Sequence, residues 1–265
     1  MIDLDAIERG FSRKAAVYDA YGADHPAIRW SRAQVRGWVE RLAAPGARVL
    51  ELNAGTGADA AYLAGRGYRV HATDVADGML AEAERKRRAG HLEERLTVQR
   101  CSFLDLEPVA GAPYDLVLSN FGGLNCVPDL RPVAAQLPTV LRPGGHVVWV
   151  LMPPFCPWEL AQALRGRFGV ALRRLRGATR AHVEGARFMT YYFSATQVAR
   201  ALGPGFTRVG QQSLGLVSPP SFMDGFPRRF PRLFPRLTAW DEWLGRRAPF
   251  HGWGDFFIYA ARYTP

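Results

Sequence analysis

The chain has 265 residues, 48% of them hydrophobic, which suffices for one substantial core and a single domain, 1–265, with insertions. No apolar run approaches the ~20 residues that span a bilayer. The opening Met1–Asp5 stretch is acidic where a secretion signal is basic and then apolar, so a soluble, cytoplasmic protein is expected. Cys101, Cys126 and Cys156 are too scattered for a disulfide framework or a Cys-x-x-Cys zinc site, and the net charge of +10 comes from cations spread along the chain, nearly all arginine, so neither a metal nor a nucleic-acid partner is expected.

Residues 1–45 read as a helical lead-in, with a helix near Ile28–Leu42. An apolar strand over 48–52 then runs through Glu51 into Asn53-Ala54-Gly55-Thr56-Gly57. Such a turn lets backbone N–H groups and a helix N-terminus face a ligand closely, because glycine has no Cβ in the way. A helix over 58–64 and a strand over 69–73 ending at Asp74 complete a βαβ unit. An acid at that point accepts hydrogen bonds from the ribose hydroxyls of an adenosine, so a nucleotide-like cofactor follows. A helix over 79–89, strands over 96–100 and 115–119, a helix over 129–141 and a strand over 146–151 continue the alternation, which implies a parallel, doubly wound sheet. Later the pattern changes to a strand-like 187–193, a helix over 195–202, and strands over 206–216 and 255–262.

Gly55-Thr56-Gly57-Ala58-Asp59-Ala60 fits the dinucleotide pattern G-x-G-x-x-A, which leaves an NAD(P)-dependent oxidoreductase as one reading. An acid four residues before the first glycine, here Glu51, argues instead for a ligand with a cationic amine and sulfonium. This stretch resembles the first motif of the class I S-adenosylmethionine (SAM) methyltransferases. Tyr114-Asp115-Leu116-Val117-Leu118-Ser119-Asn120 resembles the fourth strand of that family, and Leu141-Arg142-Pro143-Gly144-Gly145 its turn into the fifth. Phe11-Ser12-Arg13-Lys14-Ala15-Ala16-Val17-Tyr18-Asp19 resembles the lead-in of the quinone and biotin-pathway branch.

The resemblance covers residues 11–152 and implies an α/β fold with a mostly parallel, seven-stranded sheet closed by an antiparallel hairpin. It also implies SAM as cofactor and S-adenosylhomocysteine (SAH) as product. By the same resemblance Glu51, Ala54, Gly55 and Gly57 hold the methionine portion, Asp74 the ribose, and Met79 the adenine, with Val75 beside them. Tyr18 covers the cofactor and Arg13 belongs to the same set. Ser102 replaces a common adenine-binding acid, Phe103 offers its backbone N–H, and Asn120 and Phe121 line the reacting methyl. The family carries glycine where this chain has Asn53, which tolerates left-handed backbone angles. Its side chain either bonds the methionine end of the cofactor or makes no contact.

Around the SAM-binding core, 46–152, two insertions read as helical and aromatic caps on the substrate side. The first, 153–186, holds a helix over 158–167 and a basic, glycine-broken connector. The second, 217–254, repeats Phe-Pro at Phe226, Phe230 and Phe234, and a helix starting there would place Leu233, Leu237, Trp240 and Leu244 on one face. A lid excluding water from the reaction is the reading taken. The rival is an amphipathic surface with Arg228, Arg229, Arg232 and Arg236 facing anionic lipid.

The activity expected is methyl transfer to a small aromatic or apolar metabolite, with His25, His182, His251 and Tyr191 as candidate bases. Asn120-Phe121-Gly122-Gly123 lacks the Asn/Asp-Pro-Pro-aromatic motif of exocyclic base methylation, and Asn125-Cys126-Val127 lacks the proline-cysteine context of pyrimidine C5 chemistry. An RNA methyltransferase and a SAM-binding protein that transfers no methyl remain as alternatives. Cys126 and Cys156 are either a thiolate pair for a soft metalloid or small buried hydrophobes.

Overall fold

The computed structural model describes residues 2–23 and 25–265; Met1, at the head of the acidic opening stretch, and Asp24 lie outside the described residues. Strands β1 (Arg48–Leu52), β2 (Arg69–Asp74), β3 (Leu96–Arg100), β4 (Tyr114–Ser119) and β5 (Leu141–Leu151) are all parallel. A separate two-stranded hairpin follows, β6 (Ala178–Val183) and β7 (Ala186–Tyr191). Then β8 (Phe206–Leu214) and β9 (Phe256–Tyr263) join the main sheet antiparallel, in the order β3-β2-β1-β4-β5-β9-β8. This is the seven-stranded α/β sheet expected. Strand order reverses between β1 and β4, and in such sheets the crevice beyond the carboxyl ends at that reversal is the ligand site.

The central strands are buried on both faces, which is why they read as continuous apolar runs rather than alternating ones. Leu50, Leu52, Val117, Val147, Trp149 and Phe257 pack on one side of the sheet. Val49, Leu116, Leu118, Val148, Val150 and Ile258 pack on the other, against Val35 and Val39 of helix α2 (Pro26–Leu42) and Leu63 of α3 (Ala58–Gly65), with α1 (Leu4–Ala23) preceding both. Helix α1 lies between α4 (Asp77–Ala89) and the β6–β7 hairpin. The approach is close: a Cβ on Gly78 would meet the Ser12 carbonyl oxygen at 2.5 Å, and one on Gly10 would meet Ala186 Cβ at 3.0 Å. No described helix is long and apolar enough to cross a membrane.

Several segments differ from the sequence expectation. The helix over 129–141 is two short turns, Arg131–Ala134 and Leu137–Val140, because Pro138 has no N–H to continue the first. Strand β5 begins at Leu141, so the Pro-Gly-Gly segment lies within it. The helix over 158–167 is one turn, Pro157–Leu160, followed by a tighter 3₁₀ stretch that ends at Gly166, whose φ is +71°. The connector expected before 187–193 contains β6, so that strand pairs locally instead of joining the main sheet.

The helix Phe234–Leu244 forms, but its apolar face is not the buried one. Phe234, Thr238 and Asp241 point inward, while Leu233 and Trp240 are exposed and Leu237 and Leu244 only half-buried. The helix is turned by roughly 100°, one residue step, from the orientation that burying Leu233 and Trp240 requires. The cause is Asp241, whose carboxylate accepts from the backbone N–H groups of Leu216 (3.1 Å), Val217 (2.5 Å) and Ser218 (3.0 Å) and from the Ser218 hydroxyl. Charge-assisted hydrogen bonds to a strand end outweigh the burial of one apolar stripe.

Candidate functional site

At the β1/β4 reversal lies a chamber of about 970 Å³. Its floor is the turn after β1. Asn53, Gly55 and Gly57 have φ of +46°, +56° and +69°, so three left-handed residues bend the chain sharply and open the space above it. A Cβ built on Gly55 would meet nothing closer than Met79 Sδ at 3.9 Å, so this glycine fronts open space. Gly57 serves packing: its Cβ would meet Ala83 Cβ at 2.8 Å, and it does not line the chamber.

Two acids face the chamber in different states. Glu51 is buried, and its Oε2 has no hydrogen-bond partner. Burial, reinforced by Asp59, raises its pKa well above the ordinary value. A buried acceptor left unsatisfied is costly, and a ligand ammonium at this point satisfies it. Asp74 accepts from Gly55 N (2.8 Å) and Ala76 N (2.9 Å), one bond to each oxygen, while burial still pushes its pKa up. Each carboxylate oxygen keeps a further lone pair for a diol.

Asn53 turns inward to the protein. Its Nδ2 donates to Asn120 O at 3.0 Å and its Oδ1 accepts from Ser119 Oγ at 2.6 Å, tying the ends of β1 and β4 together. Gly123 makes room for that amide, since a Cβ there would meet Asn53 Cγ at 2.2 Å. Asn120 is engaged as well: it donates to Asp59 Oδ2 at 2.8 Å and accepts from Phe121 N at 2.7 Å.

Asp59, in the first turn of α3, is also bonded by Arg32 (2.6 Å) and Arg36 (2.8 Å). Although its burial opposes ionisation, the two guanidinium groups hold its pKa below the usual range. Arg32 stands 5.0 Å from the centroid of the Phe121 ring, and Phe121, at φ +48°, packs edge-on against Phe256.

Tyr18, Arg32 and Phe121 line both this chamber and a second one of about 850 Å³. The second is walled by Ile28, Trp30, Phe256, Pro219 and Pro220, with Lys14 at its side and with Asp255, which is paired with Arg174, and Ser31, Ser218 and Ser221 also in its lining. Over the first chamber lie Leu4, Ile7, Phe11 and Tyr18 of α1. That helix is pinned through Asp19, which accepts from Thr56 Oγ1 at 2.6 Å and pairs with Lys86 of α4.

Of the residues singled out from sequence, Tyr18, Glu51, Asn53, Ala54, Gly55, Asp74, Val75, Met79, Ser102, Phe103, Asn120 and Phe121 all line the first chamber. Arg13 does not. It is exposed and donates to the Glu184 carbonyl at 3.3 Å, because it faces the hairpin side of α1. The candidate bases stand apart too. His25 caps α2, with Nδ1 accepting from Ala27 N at 3.2 Å, and burial lowers its pKa. His182 is exposed on β6, and Tyr191 lines neither chamber but a further cavity with Arg180 and Arg187, which shares Ile7 and Cys126 with the first chamber. Among the described residues no histidine lines either chamber.

Cys126 lines the first chamber, whereas Cys156 is buried beside Glu159 and Asp255. Burial pushes both thiols up to about 12, so neither is a thiolate at neutral pH. The Cys156 cluster has ligand-like spacing, but Arg174 already occupies it, donating to Glu159 at 2.8 Å and to Asp255 at 2.7 Å. No site role follows from sequence for Arg32, Asp59, Leu4, Ile7, Phe11 or Thr56, although Phe11, Thr56 and Asp59 stand within the motifs quoted. The four-residue spacing of Arg32 and Arg36 on one helix face was the available signal.

The methyltransferase domain family matches residues 49–145. The malonyl-[acyl-carrier protein] O-methyltransferase of Enterobacter lignolyticus is 30% identical over 165 residues, 62% of this chain and 60% of that protein. The demethylmenaquinone methyltransferase of Clavibacter sepedonicus is 40% identical over 110 residues, 41% of this chain and 43% of that protein. The chain therefore spans less than two thirds of either relative. The 1,6-didemethyltoxoflavin-N1-methyltransferase of Burkholderia thailandensis, solved with bound 1,6-didemethyltoxoflavin and SAH, superposes with a TM-score of 0.63 at 18% identity, covering 99% of this chain and 89% of that one.

Proposed function

We propose, from the premise that this chain is a class I SAM-dependent methyltransferase, that it moves a methyl group onto a small apolar or aromatic metabolite. The observation that carries the acceptor reading is the second chamber, which meets the first at Tyr18, Arg32 and Phe121 and is otherwise walled mainly by apolar and aromatic side chains. The orphan Glu51 oxygen and the open face of Gly55 fit the cofactor.

When bound, SAM supplies a methyl already activated on a sulfonium. Glu51 would hold its ammonium, Asp74 its ribose hydroxyls, and Met79 its adenine. The chain's own contribution is alignment and exclusion of water. Asp59 and Asn120 fix Arg32 and Phe121, and these with Tyr18 form the wall through which the acceptor's reacting atom must approach. Burial raises the Tyr18 phenol, so it stays protonated at neutral pH and does not serve as a base. We read the acceptor atom as one that carries its own negative charge, a carboxylate, an enolate or an acidic phenolate, with Lys14 as its countercharge. The names of the two sequence relatives, a malonyl O-methyltransferase and a demethylmenaquinone methyltransferase, support that reading.

A panel of carboxylic acids, acidic phenols and neutral amines incubated with SAM, with SAH formation as readout, tests it. Turnover is expected for acids and phenols at pH above their own pKa. Exclusive methylation of neutral amines, or binding of NADH in preference to SAH by calorimetry, defeats it.

A further inference from the structure

The helix Phe234–Leu244 buries polar residues and exposes apolar ones. Asp241 and Thr238 face inward, while Leu233 (41% exposed), Trp240 (63%) and Trp243 (60%) share the outward face with Arg236. The helix cannot roll to hide them without breaking the four hydrogen bonds that Asp241 makes to Leu216, Val217 and Ser218. We propose that this outward face is a docking surface for an anionic lipid bilayer.

Two tryptophans and a leucine standing out from a helix, with arginine beside them, match the side chains that settle at the headgroup boundary, where one end of the indole is apolar and the other wet. Phe222 and Phe230, in the turns just before the helix, are exposed as well. Arg229 approaches the Phe230 ring at 5.7 Å and Arg247 the Trp243 ring at 4.2 Å, so cations and aromatics are interleaved along the patch. Among the described residues no carboxylate pairs with Arg228, Arg229, Arg232, Arg236 or Arg247. That charge selects the occupant: a second copy would bring arginine against arginine, whereas an anionic bilayer neutralises them. The docking does not depend on the acceptor reading, because it is measured without turnover.

The test is sedimentation of the full chain with extruded vesicles, either phosphatidylcholine alone or phosphatidylcholine with phosphatidylglycerol in equal parts, with tryptophan emission recorded. Binding to the phosphatidylglycerol vesicles, a blue shift, and release by salt are expected, with far weaker binding to phosphatidylcholine. Trp240→Ser with Trp243→Ser abolishes the shift, and Arg232→Gln or Arg236→Gln each lowers partition roughly fivefold. All four positions are exposed, so unchanged SAH affinity verifies that these variants are folded. Failure of the chain to bind anionic vesicles overturns the proposal, as does binding that the tryptophan variants leave intact. A lipid-free dimer that the tryptophan variants dissociate also overturns it and assigns the face to a second copy.

Discussion

Asp74 and Glu51 are both buried acids at strand ends, yet they are prepared for a ligand in opposite ways. Asp74 is oriented by two backbone donors, so removing it costs charged hydrogen bonds to the ligand and leaves Gly55 N unpaired. Asp74→Ala should raise the SAH dissociation constant by roughly 10- to 100-fold, measured calorimetrically. Glu51 has no such preparation and holds its proton more tightly than usual. It must release that proton to pair with an ammonium, so SAH affinity should rise with pH as Glu51 ionises. Glu51→Gln should flatten this dependence, and titration in two buffers of different ionisation enthalpy should show proton release only in the unsubstituted protein.

At the scale of elements, two buried charge clusters hold the insertions. Arg174 joins the first insertion to the start of β9 through Glu159 and Asp255; Arg174→Met would leave Asp255 buried without a cation, while Glu159 keeps its two bonds from Arg173. A loss of roughly 3–5 kcal/mol is expected, read from the urea midpoint. Asp241 behaves differently, because burial raises its carboxyl from 3.8 to about 6 in spite of the bonds that favour the anion. Its folded pKa lies above its unfolded one, so the folded state holds the extra proton. The associated stability is present below about pH 4 and is lost as pH rises through about 6. Urea melts of Asp241→Asn should lack that decline.

For the whole molecule, α1 lies over the cofactor chamber and is pinned between α4 and the hairpin. The pin nearest the chamber is the Lys86–Asp19–Thr56 cluster. Lys86→Met removes the cation and leaves Asp19 with the Thr56 hydroxyl alone. SAH should then dissociate several-fold faster in stopped-flow, with a smaller change in thermal stability, because few buried apolar contacts are lost. An unchanged dissociation rate would mean that α1 does not gate release.

Local chemistry determined much of this protein. A strand, a glycine turn and an acid within one βαβ unit specify where a nucleotide-like ligand sits, since the residues concerned are neighbours in the chain and their backbone angles follow from their side chains. That is why most of the lining from Glu51 to Met79 and the mostly parallel, doubly wound sheet were legible. What the tertiary structure alone decided depends on partners far apart in sequence. Asp59 became a hub only when α2 brought Arg32 and Arg36 to it, and His182 was placed away from both chambers only when the β6–β7 hairpin paired locally. The helix Phe234–Leu244 is the sharpest instance. Its periodicity favours one face, but a single carboxylate bonded to three distant backbone amides turned it to the other, because pattern counts apolar residues and not the hydrogen bonds that a buried charge demands.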